Sequence, residues 1–491
     1  MKIIDNAVKG VKKALQKFLE IYPAQNARIV LREGISREND ILRNIVWYRG
    51  DALEIEQFFK AVNNDGLSRF WASVPSGEKI RKAHSGLPSV IVDVLSSTVM
   101  SDLSKPIIKN EKFMDIWQAM AEGNDWENLV QTAVNDMLIT GDGAFKINID
   151  TAISEYPIIE FADASRVEYI RKSGKITNIL FYTPYAEGDK SYVLQENYGI
   201  GSVTYTLFDD DSVVPLENVQ ALKELKNVTF EGKYIMAVPV LFRQSKKYQG
   251  RGRSIFDGKT DVFDIHDEII SQWLDAIRDG RVQKYVPDDM IPRDAKSGKT
   301  LSIDRFGATY TQINVPNMEG VSKKLDFMQP DINYDAFVSS YSSSLDRCLQ
   351  GIISPATLGI DVSKMTSGEA QREKKDITGI SRNAITSVLE KVLPQLVKTA
   401  LMVYCSMHNE KYEDIEEISF TFGEYASPDF DSRINALVSA TNGGIISTQA
   451  VVEELWADSK DEKWKEEEIA RLLQEKGFIQ QNEPSVGDID L

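Results

Sequence analysis

Only two cysteines, Cys348 and Cys405, and three histidines, His84, His266 and His408, occur in 491 residues. A structural zinc site takes about four ligands, mostly of those types. The one close pair, Cys405 and His408, has no second pair to complete it. Both cysteines fall on apolar stripes of predicted helices and read as buried thiols in a reduced compartment. Long apolar runs are missing too: no stretch reaches the ~18 residues that span a bilayer. Met1–Glu20 sets Lys2, Lys9, Lys12, Lys13 and Lys17 among Ile3, Ile4, Val8, Val11, Leu15 and Leu19. That is an amphipathic helix pattern without the unbroken apolar core of a signal peptide. It packs on the body of the protein, with membrane-surface attachment as the other reading. Basic charge is also short. Lys plus Arg is 57 against 74 Asp plus Glu, a net charge of −17. Proteins that grip nucleic acid through its phosphates are usually basic. The balance argues against a conventional high-affinity DNA binder and leaves room for a protein that encloses DNA without holding it.

Catalytic signatures are equally scarce. No Gly-x-Ser-x-Gly elbow occurs, and no Cys/His pair has local support. Lys296–Thr300 reads Lys-Ser-Gly-Lys-Thr, like the end of a phosphate-binding loop, but Arg293 stands where that loop needs glycine, and neither a strand before nor a helix after is evident. An exposed turn is the simpler reading. Trp47–Tyr48 beside Arg49 and Gly50 has the composition of a base-stacking site, but it also fits a helix end packed on its neighbours. Arg251, Arg253, Lys284 and Lys364 are single charges that read as solvated surface residues.

What is present is an ordered series of elements in a chain long enough for two or more domains. Apolar spacing of three and four predicts helices over Glu38–Val62, Leu87–Met100 and Trp117–Ile139. The period then drops to two, giving short strands at 144–149, 157–162, 166–170, 176–183, 191–196 and 203–208, with more strand in 227–240. The fold class is therefore α+β, helices first and an antiparallel sheet after. Asp261–Gly280 is a helix with Val262, Ile265, Ile269, Trp273 and Ile277 on one side. Asp264, Glu268, Ser271, Asp275 and Asp279 form a second stripe. A small insert with turns and strands covers 282–331. Asn333–Ile352 is helical again, with a serine-rich face (Ser339, Ser340, Ser342, Ser343, Ser344) suited to packing between subunits or to a wet wall. After a loop at 354–367, Thr366–Glu369 reads as a capping box for a helix running to about Met407. Pro394 predicts a kink near Val388–Lys391. A strand at 417–422 and three short helices at 429–440, 447–456 and 461–476 follow. The end from Gln480 is polar and reads as disordered.

The order of these elements resembles tailed-phage portal proteins, in particular the family of siphophages and related phages infecting Gram-positive bacteria. Six stretches carry the likeness: Trp47–Gly50, Leu87–Asp93, Gly141–Lys146, Gly252–Phe256 with the helix after it, Ser367–Ala370, and Gly443–Ser447. It spans about residues 35–480, and the order of the six is more specific than any one of them.

The resemblance implies a portal architecture: N-terminal helices and wing (1–255), a first stem helix (256–280), a small α/β clip (281–330), a second stem helix (331–352), a tunnel loop (353–368), a long kinked helix with the wing return (369–427), a helical crown (428–480) and a flexible tail (481–491). It implies a ring, typically of twelve copies, at one capsid vertex. The ring conducts double-stranded DNA and meets the terminase large subunit, a head-completion or adaptor protein, and the major capsid protein and scaffold. No enzyme activity, cofactor, metal or membrane is implied. Within that frame Asp264, Glu268, Asp275, Asp279 and Lys284 are candidates to line the channel, and Ser354, Leu358, Asp361, Lys364, Met365 and Thr366 are candidates on the tunnel loop. A capsid-associated adaptor or a nucleic-acid enzyme such as a nuclease is the competing reading.

Overall fold

The computed structural model describes residues 36–62, 69–72, 80–280, 283–287, 310–313, 326–329, 331–360, 368–410, 418–423, 434, 437–441, 443–456 and 462–475. The amphipathic run 1–20, the Lys296–Thr300 run and the tail from 480 lie outside them. In chain order the elements are α1 (Arg37–Arg49), α2 (Ala52–Val62), α3 (Leu87–Met100), α4 (Glu111–Gly123), α5 (Trp126–Thr140), β1 (Asp142–Asn148), β2 (Ile158–Asp163), β3 (Val167–Lys172), β4 (Lys175–Glu187), β5 (Lys190–Gly199), β6 (Ser202–Asp209), β7 (Ser212–Val214), β8 (Val228–Thr229), β9 (Ala237–Leu241), α6 (Thr260–Asp279), β10 (Gln283–Pro287), β11 (Tyr310–Ile313), β12 (Asp326–Met328), α7 (Tyr334–Leu349), α8 (Gly368–Met407), α9 (Thr448–Trp456) and α10 (Glu462–Glu475). The chain is α+β, as its periodicities predict.

Two of the expected helices are each split. Gly50 sits at φ 68° and closes α1, its N–H bonded to the carbonyl of Val46. That left-handed position suits a residue without a Cβ and stops the helix although the apolar spacing continues. Asp125, at φ 48°, separates α4 from α5 in the same way. By contrast α8 is one helix of 40 residues that passes through Pro394.

The described residues fall into two units, 1–85 with 263–337 and 86–262 with 338–491. The smaller one contains α1, α2, most of α6, the strands β10–β12 and the first residues of α7. Its strands form a sheet of order β11-β10-β12 in which β10 and β11 run parallel. Trp273 of α6 stacks on Phe337 of α7 at 6.2 Å and meets Tyr334 edge-on.

The larger unit holds two sheets rather than the single one expected. In the first, β1 lies between β2 and β9, with Phe145 opposite both Phe161 and Val238. In the second, β3 to β7 follow one another antiparallel, and β8 pairs with β6. Tyr192, Leu194, Leu207, Val219 and Leu222 make a core beneath that meander. Around the first sheet, α3 buries Ile91, Val92, Leu95 and Val99, and α8 buries Ile385, Leu389, Leu393, Leu396, Val397 and Leu401. Removing that apolar surface from water is the main stabilising term. Cys348 and Cys405 are buried free thiols. Among the described residues no helix is long and apolar enough to cross a membrane.

Candidate functional site

The helix α6 decides what charge this chain can present. Its buried residues include Phe263, Asp264, His266, Asp267 and Ser271, four of them polar. Backbone amides explain the polarity of Asp264, Asp267 and Ser271. Asp264 accepts the N–H groups of Phe70 (2.9 Å) and Trp71 (3.1 Å). Asp267 accepts Trp71 Nε1 (3.1 Å), His84 Nδ1 (2.7 Å) and the N–H of Ser85 (3.0 Å). Ser271 Oγ accepts the N–H of Ala83 (3.0 Å) and donates to the carbonyl of Asp267. Residues 69–72 and 80–85 belong to no helix or strand, and buried N–H groups must be bonded; the helix supplies acceptors for Phe70, Trp71, Ala83 and Ser85. Burial pushes the Asp264 carboxyl above the ordinary carboxylate range, with the two amide bonds opposing that shift. Burial likewise lowers His266 below the usual imidazole value, and the nearby His84 adds to it.

Trp47 closes this cluster. Its ring lies 5.4 Å from His84, 5.8 Å from Phe59 and 5.8 Å from Phe263. It is 1% exposed, so a base-stacking role is set aside: the ring is committed to the interior. An Asp–His pair invites comparison with a catalytic relay, but His84 Nε2 is buried and, among the described residues, has no hydrogen-bond partner to which it could pass a proton. The pair fixes chain segments.

Along the edge of the buried row Asp264, Asp267 and Ser271 runs a neighbouring stripe of Glu268, Gln272, Asp275 and Asp279, spaced at helical intervals. Asp279 is exposed, while Glu268 and Asp275 are half-buried. Among the described residues Glu268 takes a bond from Gln272 (2.9 Å) and Asp275 a long contact to Arg278 (3.5 Å). Ile265 and Ile277, expected on the apolar side, are about half exposed at 48% and 49%. The stripe read from the sequence therefore divides. Asp264 leaves it, because two amides hold it inside, and Glu268, Asp275 and Asp279 remain. Lys284 is on β10, opposite Tyr310 and Phe327.

The tunnel-loop candidates divide as well. Ser354 is buried, its N–H donating to Thr378 Oγ1 of α8 at 2.9 Å, which ties the start of the loop to that helix. Leu358 ends a short 3₁₀ turn, Pro355–Leu358, and is half-buried. Asp361, Lys364, Met365 and Thr366 lie outside the described residues.

In the larger unit a second polar knot joins two stretches that the sequence reading noted separately. Asp142 Oδ1 meets Arg251 Nη2 at 2.6 Å, and Asp142 Oδ2 accepts the N–H of Gly252 at 2.7 Å. Arg251 also donates to the carbonyl of Val167 (3.1 Å) and lies over the Tyr169 ring. It was expected at the surface; a buried carboxylate draws it in. Arg382 of α8 is buried too. It ion-pairs with Asp102 (2.7 Å) and donates to the carbonyl of Gly423, tying α3's exit to the strand-like run at 418–423, which bridges to Leu103 and Ile107. Asp267, Asp142 and Arg382 were not singled out from sequence. Only the glycines flanking Asp142 hinted that something approached it closely. Buried charged residues of this kind cannot be placed from one sequence, because their partners lie far along the chain.

Among the described residues no three His, Cys, Asp or Glu side chains converge as metal ligands would. His408 stacks on Tyr404 at 4.2 Å and bonds its carbonyl, away from any such role with Cys405.

No curated protein matches the chain. One solved chain, described as the neck of a native GTA particle computed with C12 symmetry, aligns with 75% of this chain and 89% of its own length. The two are 12% identical, with a TM-score of 0.35. A family model, phage portal protein, SPP1 Gp6-like, matches residues 31–482. That span contains the α6 helix, the Asp142–Arg251 knot and the long α8, and with nearly the whole chain matched, the protein belongs to the SPP1 Gp6-like family of phage portal proteins.

Proposed function

We propose that the chain closes with copies of itself into a ring of twelve at one capsid vertex and conducts double-stranded DNA during packaging and ejection. Family membership across 31–482 is the observation that carries this reading. Within it, the first stem helix is α6, the second α7, the clip the insert 281–330, the tunnel loop 353–368, and the crown the helices from 428. The clip side meets the terminase large subunit and later a head-completion protein, and the wing meets the major capsid protein and scaffold. The ring acts as a conduit and assembly hub, with no chemistry of its own.

Charge supplies the mechanism. Repeated around an axis, Glu268, Asp275 and Asp279 become three tiers of carboxylates. Phosphates meet repulsion at each tier, so the duplex is centred and slides, and few condensed counterions are displaced. Lys284 and Lys364 give brief attractive contacts in the same passage. The supporting feature is the outer face of α6, whose acids have weak local partners.

Electron microscopy of the purified full-length chain, followed by a map of the assembled particle, tests the reading. An annulus with Glu268, Asp275 and Asp279 facing the hole is expected. Monomers or dimers at packaging concentrations, or acids sealed between neighbours, overturn it.

A further inference from the structure

A cavity of about 210 Å³ in the larger unit is lined by Arg243, Arg253 and Lys259. Asp257 is the acidic residue of that lining. Three basic residues and one acidic residue therefore line it, with Arg243 and Arg253 exposed and Lys259 half-buried, in a chain whose net charge is −17.

The two arginines are held together by backbone. The N–H of Arg253 donates to the carbonyls of Phe242 (2.7 Å) and Arg243 (3.1 Å). Arg243 adopts φ 44°, a left-handed conformation that is uncommon for a residue with a Cβ and recurs at ligand clamps. Its guanidinium lies 5.1 Å from the Phe242 ring, which fixes its direction. Among the described residues, neither arginine makes an ion pair with a carboxylate; the hydrogen bond recorded for the Arg253 head is to the carbonyl of Asp257 (3.2 Å). Lys259 is steadied by the carbonyls of Arg347 (2.7 Å) and Gln350 (2.8 Å) at the end of α7. Burial first, and the Arg253 charge second, lower the Arg243 pKa, as expected of two like charges near each other.

We infer that this cavity is a binding site for a phosphate-class oxyanion, clamped by the Arg243 and Arg253 guanidinium groups with Lys259 behind them. Guanidinium forks match tetrahedral oxyanions in geometry, and two of them brought together by backbone hydrogen bonds lower the cost of assembling the clamp on binding. The oxyanion comes either free, as phosphate or pyrophosphate, or as a backbone phosphate of a nucleic acid. The site stands whether or not the chain forms a ring.

Calorimetric titration of the full-length protein with phosphate and pyrophosphate, at ionic strength held constant with chloride, tests it. Saturable binding near one per chain is expected, weakened at least tenfold in the Arg243→Gln/Arg253→Gln variant with thermal midpoint retained. Single variants serve if the double variant unfolds. A short DNA duplex that competes with pyrophosphate assigns the backbone source, and independent binding assigns the free anion; both support the site. No saturation above the chloride control, or affinity unchanged in the variants, overturns it.

Discussion

Asp142 and Arg251 lie 2.6 Å apart, 109 residues apart in sequence, with side chains only 2% and 11% exposed. The pair fastens the start of β1 to the loop that leads into α6. Breaking a buried pair by removing one partner leaves the other charge unpaired and typically costs about 3–5 kcal/mol. Arg251→Met and Asp142→Leu should each lower stability on that scale. The double variant should recover part of the loss, since two apolar groups leave no orphan charge. A double-mutant cycle by denaturant unfolding checks this; additive losses would show that the two groups do not act as a pair.

The same contact explains why position 252 is glycine. A Cβ there would come 1.8 Å from the carbonyl oxygen of Gly141 and 2.9 Å from Asp142 Cβ. The obstacle is backbone, so it cannot swing aside. Gly252→Ala should cost about 3 kcal/mol or more, in the upper range for overpacked interiors. Gly258→Ala is the control for an open site, although position 258, unlike 252, must bear a positive φ. Thermal midpoints of the two variants give the comparison, and a smaller loss at 252 than at 258 would refute the steric account.

These contacts mark the limit of what one sequence conveys. The strands between 142 and 209 were legible because side chains alternate and turns punctuate them; each observed strand lies within a few residues of its expected place. The α6 and α7 helices and the start of α8 were legible for the same kind of reason. Helix ends at Gly50 and Asp125 were hidden because apolar spacing runs on across them, and only the backbone angle stops the helix. The acidic stripe was half legible. Spacing put Asp264 with Glu268, Asp275 and Asp279, but the amides of Phe70 and Trp71 that bury it come from nearly 200 residues earlier. Arg251 misled for the same reason. The direction of a charged side chain depends on a partner that periodicity does not encode.

Asp136 in α5 offers a test by pH. Burial chiefly, and the Asp163 charge next, push its carboxyl up to about 6, while an unfolded aspartate titrates near ~3.9. The folded chain therefore holds the extra proton between those values. Its stabilising share is whole below about pH 4, is lost as pH rises through about 6, and stays lost above. Asp136→Asn carries no charge to bury. Relative to wild type it should gain on the order of 1–3 kcal/mol at pH 7.5 and nothing at pH 3.5. Unfolding of both proteins across that range is the measurement. A constant difference between the two curves would mean that Asp136 titrates alike in both states.

The acids of α6 should separate into two classes when changed one side at a time. Asp264→Ala removes the acceptor of two buried amides, each costing about 1–3 kcal/mol to leave unbonded. It should therefore lower the unfolding midpoint, and loosen residues 69–72 to hydrogen exchange, before any assay of DNA passage is run. Glu268, Asp275 and Asp279 carry no such duty. Changing all three to Gln should move stability by no more than about 0.5 kcal/mol each, as for ordinary surface sites. Changing all three to Lys keeps the helix formers and reverses the charge. In the proposed ring that substitution turns three repelling tiers into three attracting ones. Packaged DNA per particle should then fall and become strongly salt-dependent, because each lysine that meets a phosphate releases counterions. The Gln variant should fall between the two. Packaging that is equal in all three proteins, with the folded state intact, would separate the carboxylates from DNA movement and leave Asp264 as the only acid of the original stripe with a demonstrable task.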